Sequence, residues 1–533
     1  MRGPLRTTAA PASTAWPPWG VSVEAGALGV LLGYPWWHEL SFWGAGVCAI
    51  AALTAVHMAY ACRAIVPLPH VVILISVLQY GLAPMASYYF PAGMAQYGIA
   101  DFPDYFSYSV PALAAILLGM VVSWFGLGPL LARQTSREGE TVGSLPRPHV
   151  SRALGAARVR RTPAAGAADI PALRREMEWL FWGGIAVKLL LGGRDFGGFS
   201  FLVVLLADLR FLGLMGLMLL CVPGLRWRAT ALTVLELGAA VGSGMFHEQI
   251  LWALGFFVLY AYLNRPTIGA FLGWLLLLCC GAFLVHDTKW QIRQATWGGT
   301  GRVEVFGQTM ELSGWNQPLI GGLCLLQSAS KVLTGGYSDD SLGEMVLRFN
   351  QGWIVDRVLH HVPAYEPYAF GETIISAVEA AALPRIIAPD KHDVGGREFM
   401  IRFAGYEPEE GTSMDIGFAG ELYANFGYWG GIIACGLYAL MIGLALRWVS
   451  VRALRSPLWW AVAIYAGHWA FKVETDIGAV LNYAVKAALV VFVATRCLPA
   501  FRAALGTPAL GEPPRLARRR AALHAVGQPS TEF

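Results

Sequence analysis

The chain has 533 residues, of which 56% are hydrophobic and only 14% charged, and its mean hydropathy is +0.51. Soluble domains carry about 25% charged residues, so this balance excludes a disordered protein and an ordinary soluble enzyme. The net charge is only +4, and the placement of the basic residues matters more than their sum.

A membrane-crossing helix needs about 17–25 mostly apolar residues. Twelve segments fit in chain order: 20–36, 42–62, 70–90, 109–132, 177–193, 198–222, 229–245, 249–264, 267–286, 428–447, 457–473 and 477–496. The first could be a signal peptide, but no A-x-A-like site follows it and Pro35-Trp36-Trp37 ends it as an interfacial anchor, so it counts as a span. The expected fold is therefore an all-α polytopic membrane protein of about twelve transmembrane helices.

Charge sets its sidedness. The linker 133–176 carries Arg133, Arg137, Arg147, Arg152, Arg158, Arg160, Arg161, Arg174 and Arg175 and no lysine. Such a segment stays on the cytoplasmic side. Twelve spans then put Arg226, Arg228, Arg265, Arg452, Arg455 and both termini inside, including the basic tail 498–533. The resulting layout is spans one to four within 1–132, the linker 133–176, spans five to nine within 177–286, a large outer loop 287–427, and spans ten to twelve within 428–497. Linker and tail read as solvated segments that also suit anionic lipid heads. There is no P-loop, no GxGxxG after a strand, no CxxC and no metal-ligand spacing, so no cofactor, metal or nucleic-acid partner is expected. Only Cys324 lies in the outer loop, so no disulfide forms within it. No repeat of the transporter kind is visible.

The outer loop holds most of the candidate chemistry. Residues 341–361 read as an amphipathic helix, with Leu342, Met345, Val346, Phe349, Trp353, Ile354 and Val358 at spacings of three and four. Arg357 and His361 share one face of it, whereas Arg348 lies half a turn away. Either the helix breaks near Gly352 or the two arginines serve different sites. A short helix is expected over 373–382, followed by basic residues near turns: Arg385, Lys391, Arg397 and Arg402. Arginine forks bind diphosphate oxygens bidentately; the alternative for each is an ion pair with a nearby acid. Tyr365 and Tyr368 suit a sugar ring or the bilayer interface. From Asp415 onward a helix enters the membrane, with Glu421 and Asn425 four apart, either functional or joined in a tight polar network. Within the spans, Lys188, Asp208, Arg210, Glu236, His468 and Lys486 are ionisable and therefore candidates. Arg210 reads either as a phosphate ligand or as a packed ion pair.

Pro384-Arg385-Ile-Ile-Ala-Pro389-Asp390-Lys391, followed by Gly420-Glu421-Leu-Tyr423-Ala-Asn425-Phe426-Gly427 and a glycine-rich span, resembles the Wzy-type oligosaccharide repeat-unit polymerases, with the motif match covering about 340–445. His392 stands where a further proline is expected. The resemblance implies a GT-C-like helical architecture with a large periplasmic loop in the bacterial inner membrane. It further implies an inverting, metal-independent glycosyltransferase that moves a growing glycan from undecaprenyl diphosphate onto the next lipid-linked repeat unit. A flippase and a chain-length regulator of the same pathway are the implied partners, beside the bilayer itself.

For that chemistry the base candidates are His360, His361, Glu421 and Asp415. Arg210, Arg348, Arg385, Lys391, Arg397 and Arg402 are the candidates for the diphosphate, Trp353, Tyr365, Tyr368 and Asn425 for the sugars, and Arg357 and Tyr423 for substrate binding without an assigned part. An O-antigen ligase, a lipid-linked sugar flippase and a non-enzymatic assembly partner remain as alternative readings.

Overall fold

The computed structural model describes residues 19–34, 37–62, 65–89, 97–124, 169–194, 196–243, 246–297, 300–312, 316–336, 343, 346–347, 349–382, 395–409, 414–453 and 456–506. Each of the twelve apolar segments falls on a helix. In chain order these are α1 (Trp19–Gly33), α2 (Trp37–Ala61), α3 (Leu68–Ser87), α4 (Phe102–Ser123), α5 (Ile170–Leu191), α6 (Ser200–Leu219), α7 (Leu225–Ser243), α8 (His247–Asn264) and α9 (Ile268–Trp297). After the loop region come α14 (Gly417–Ala453), α15 (Leu458–Gly467), α16 (Ile477–Cys497) and α17 (Pro499–Leu505).

Six helical segments are long and apolar enough to cross a membrane: Phe42–Ala61 of α2, then α3, α4, α6, α14 and α16. The chain is a multi-pass membrane protein on that evidence. The other six expected spans are helical but fall short of that standard, for visible reasons. α1 and the apolar half of α9, Ile268–Gly281, are short. α5 carries Arg174, Arg175, Glu176, Glu178 and Lys188. α15 gives way after ten residues to a 3-10 turn over His468–Phe471.

The stretch expected as one outer loop is largely structured. α10 (Gln317–Thr334) is an apolar helix packed on α7 and α9. A hairpin of β1 (Arg302–Val305) and β2 (Gln308–Glu311), with Val303 opposite Met310, is the one β element among the described residues of an otherwise all-α chain. Val303 and Val305 join Ile292, Ile320 and Cys324 in a small core separate from that of the main bundle. Then follow α11 (Gly352–His361), α12 (Glu372–Ala382) and α13 (Arg397–Ala404).

Small residues let the main bundle close. A Cβ on Gly119 of α4 would overlap the Gly436 carbonyl of α14, and one on Gly213 of α6 would sit 2.5 Å from the Phe181 amide of α5. Close backbone approach of this kind is how helices associate where lipid removes the hydrophobic drive between them.

Hydrogen bonds sort the connections into two ends. At one end, the Ala100 amide meets Asp356, Gln79 meets Glu474, and the Ile477 amide meets Glu421. At the other, Arg228 pairs with Glu178, Glu176 accepts from the Ala500 and Phe501 amides, and Arg447 reaches the Ser123 carbonyl. This second end carries Arg228 and Arg447.

Candidate functional site

The first end of the bundle carries an open cavity of about 430 Å³. Its walls are Gly98–Ala100, the α11 residues Asp356, Arg357, His360 and His361, then Tyr365 and the Ala404–Gly405 corner. α11 presents these side chains because its two faces differ: Trp353, Ile354, Val355, Val358 and Asp356 are buried, and Arg357, His360 and His361 take the remaining face.

The start of α11 is fixed by a defect in α3. Residues Leu78–Leu82 form a π-turn, a geometry that frees carbonyls from the regular ladder. The Gln79 carbonyl accepts from the Gln351 amide at 3.2 Å, and the Tyr80 carbonyl accepts from Tyr105 Oη at 2.7 Å. Asn350 Nδ2 donates to Ser87 Oγ at 3.1 Å. These bonds interrupt the expected 341–361 helix at Asn350–Gln351, immediately before Gly352, which is one of the two outcomes its arginine spacing required.

Within the cavity, His360 Nδ1 lies 2.8 Å from the Asp356 carbonyl and 3.6 Å from Asp356 Oδ1. The His360 side chain is 48% exposed, whereas Asp356 as a residue is only 2% exposed. Asp356 Oδ2 accepts from the Ala100 amide at 2.8 Å, and Oδ1 is buried with no hydrogen-bond partner. Burial pushes the Asp356 carboxyl up to about 6, against the pull of the Ala100 amide and of His360. His361 stacks on Tyr365 with ring centroids 5.3 Å apart, and Tyr365 is 81% exposed. The Arg357 guanidinium lies over Tyr406 at 5.2 Å and Trp353 at 5.8 Å. Tyr406 and Tyr97 share a hydrogen bond of 3.3 Å, which, with burial, pushes the Tyr406 phenol up to about 12. A cation, two imidazoles and the Tyr365 ring thus line one opening.

The remaining sequence candidates lie elsewhere. Glu421 is 0% exposed; its Oε1 accepts from Thr373 Oγ1 at 2.7 Å and its Oε2 from the Ile477 amide at 2.8 Å. Asn425 donates to Thr373 Oγ1 and to the Glu421 carbonyl, and accepts from the Gly371 amide. These residues form the tight polar network that was one of their two expected roles. Gly427 interrupts α14 at φ 70, ψ −166. The break releases the Ala424 and Asn425 carbonyls, which accept from the Ala369 and Phe370 amides at 2.9 and 3.0 Å. Tyr368 packs against that glycine. Tyr423 is buried, with its hydroxyl donating to the Val362 carbonyl at 3.3 Å. Trp353 is likewise buried beneath the cavity, edge-on to Tyr97. Asp415 sits near Lys472, Glu474 and the buried Asp476, and burial raises both aspartates.

Arg402 is neutralised: Nε meets Glu366 at 2.6 Å, and Nη1 and Nη2 clasp Glu372 at 3.0 Å each. The clasp raises the guanidinium and lowers the Glu372 carboxyl. Arg397 pairs with Glu407 at the surface. Arg210 is buried between Glu236 at 2.7 Å and Asp208 at 3.1 Å, the packed ion pair of the sequence reading. Arg348, Arg385 and Lys391, and with them the whole Pro384–Lys391 motif, lie outside the described residues. Among the described residues no three His, Cys, Asp or Glu side chains are grouped as metal ligands.

Sequence reasoning passed over Asp356. Its signal was available: it stands four residues before His360, on the same helix face. Tyr97 and the 98–100 wall, 256 residues from Asp356, had no such signal. Comparison with family models, with curated proteins and with solved structures gave no match.

Proposed function

We propose that the chain is a membrane glycosyltransferase of the repeat-unit polymerase type, acting at the cavity on the outer end of the helix bundle. The observation that carries this reading is the convergence of Arg357, His360, His361 and Tyr365 on one polar opening beside membrane-crossing helices. A lipid-linked donor presents a diphosphate near the headgroups and a sugar beyond it. Arg357 supplies a cation for the leaving diphosphate, and preorganised charge of this kind is a major source of rate. His360 supplies a base for the acceptor hydroxyl. Tyr365 and Tyr406 give faces for the sugar rings. The chemistry is single displacement: the acceptor oxygen bonds to the anomeric carbon, the bond from that carbon to the phosphate oxygen breaks, and its electron pair leaves with the diphosphate. On this reading the cavity faces the periplasm of a bacterial inner membrane, both termini face the cytoplasm, and the substrate is an undecaprenyl-diphosphate-linked oligosaccharide.

The test is gene deletion followed by glycan sizing, then reconstitution of the purified chain with lipid-linked repeat units. Loss of long polymer while single repeat units persist supports the polymerase. Long polymer that accumulates on its lipid carrier identifies a ligase, and repeat units trapped on the cytoplasmic face identify a flippase.

A further inference from the structure

Asp356 holds a carboxylate where the fold needs only one acceptor. The Ala100 amide uses Oδ2, and an asparagine carbonyl would serve that amide without burying a charge. Oδ1 instead remains buried and unpartnered, 3.6 Å from His360 Nδ1. A buried polar atom without a partner is costly, and such atoms are rare in folded proteins. The neighbouring imidazole has a defined orientation. A backbone carbonyl only accepts, so the 2.8 Å contact from the Asp356 carbonyl assigns the proton to Nδ1 and leaves the lone pair on Nε2.

We infer that Asp356 is the positioning residue of a carboxylate–imidazole pair, its free oxygen waiting for the imidazolium that forms when His360 Nε2 takes the acceptor proton. This inference rests on the glycosyl-transfer reading of the cavity. The proton passes from the acceptor hydroxyl to Nε2, the acceptor oxygen bonds to the anomeric carbon, and the electron pair of the broken carbon–oxygen bond leaves on the diphosphate beside Arg357. The Nδ1–H of the charged ring then turns from the carbonyl toward Oδ1, and the ring later releases its proton to water through the open mouth of the cavity. The charged and titratable groups facing Asp356 are Arg357, His360 and His361 on α11, Asp101 and Asp104 at the start of α4, and the Tyr105 phenol.

The test uses the full-length chain in nanodiscs, with undecaprenyl-diphosphate-linked repeat units extracted from cells lacking the protein. In Asp356→Asn, kcat falls about 100-fold, the scale of a positioned general base, while KM stays within about two-fold. The acid limb of the rate–pH profile moves down by about one pH unit, the effect of removing one adjacent opposite charge. The double variant with His360→Gln is no slower than His360→Gln alone, as two members of one unit require. Wild-type kcat and pH profile in Asp356→Asn, or losses that multiply in the double variant, overturn the pair. Should Asp356→Asn fail to fold, nitrogen NMR of imidazole-labelled wild type decides, with His360 assigned by difference from His360→Gln. A proton on Nδ1 supports the pair and one on Nε2 overturns it. A wild-type chain that transfers nothing removes the glycosyl-transfer reading itself, whereas an active wild type beside an equally active Asp356→Asn removes the pair alone.

Discussion

Replacing Gly427 with alanine tests how the outer cap is attached to the membrane bundle. At φ 70, ψ −166 this residue occupies backbone space open essentially to glycine, and a Cβ there would press on the Tyr368 ring at 3.1 Å. Forcing alanine into that conformation costs about 1–3 kcal/mol. The alternative is for α14 to straighten, which withdraws the Ala424 and Asn425 carbonyls from the Ala369 and Phe370 amides. Two hydrogen bonds at about 1 kcal/mol each are then lost. Either route destabilises the junction by about 1–3 kcal/mol. Melting in detergent and hydrogen exchange at Ala369 and Phe370 measure it. The variant should melt earlier, with exchange at those two amides accelerated by about 5- to 150-fold if opening is local. Unchanged melting together with unchanged protection of both amides would refute the reasoning, because the helix break would then contribute nothing to holding the 368–373 segment.

Three further outcomes are expected. Arg357→Ala should lower kcat/KM by about 100-fold by removing charge neutralisation at the leaving group, while Arg397→Ala, whose partner Glu407 is at the surface, stays within about two-fold; equal losses in single-turnover assays would disprove the assignment. Glu372 has its carboxyl lowered by Arg402, so this contribution to stability is complete above the ordinary carboxyl range and lost as pH falls through the depressed one. Arg402→Gln should therefore reduce the acid sensitivity of melting, and an identical pH–melting curve would contradict it. Glu176→Ala strands the Ala500 and Phe501 amides, costing about 2 kcal/mol. α17 should become open to protease, and a protease-resistant α17 would count against this role of Glu176.

The helices were legible because apolar runs of fixed length are dictated by the bilayer, and α12 appeared within one residue of its expected start. What the sequence hid depends on distant partners. Arg402 stayed open between phosphate ligand and ion pair, because its partners Glu366 and Glu372, 36 and 30 residues before it, are beyond any local pattern. The break before Gly352 arises from Ser87 and Gln79 on another helix. Asp356 was passed over, and its burial depends on the Ala100 amide 256 residues away. The hairpin could have been found: Arg302-Val-Glu-Val alternates before the turn at Phe306-Gly307, as its burial pattern does.

The break at Gly427 also sets a depth. An unbroken α14 of 37 residues would measure about 55 Å at 1.5 Å per residue, far more than the roughly 30 Å hydrocarbon slab. Residues 428–453 alone come to about 39 Å, a length that spans slab and headgroups with little tilt. The ten residues before the break carry Glu421 and Asn425 and leave the rod's axis. The glycine therefore acts as a depth gauge: it marks where the apolar rod ends and the polar segment that holds residues 369–373 begins.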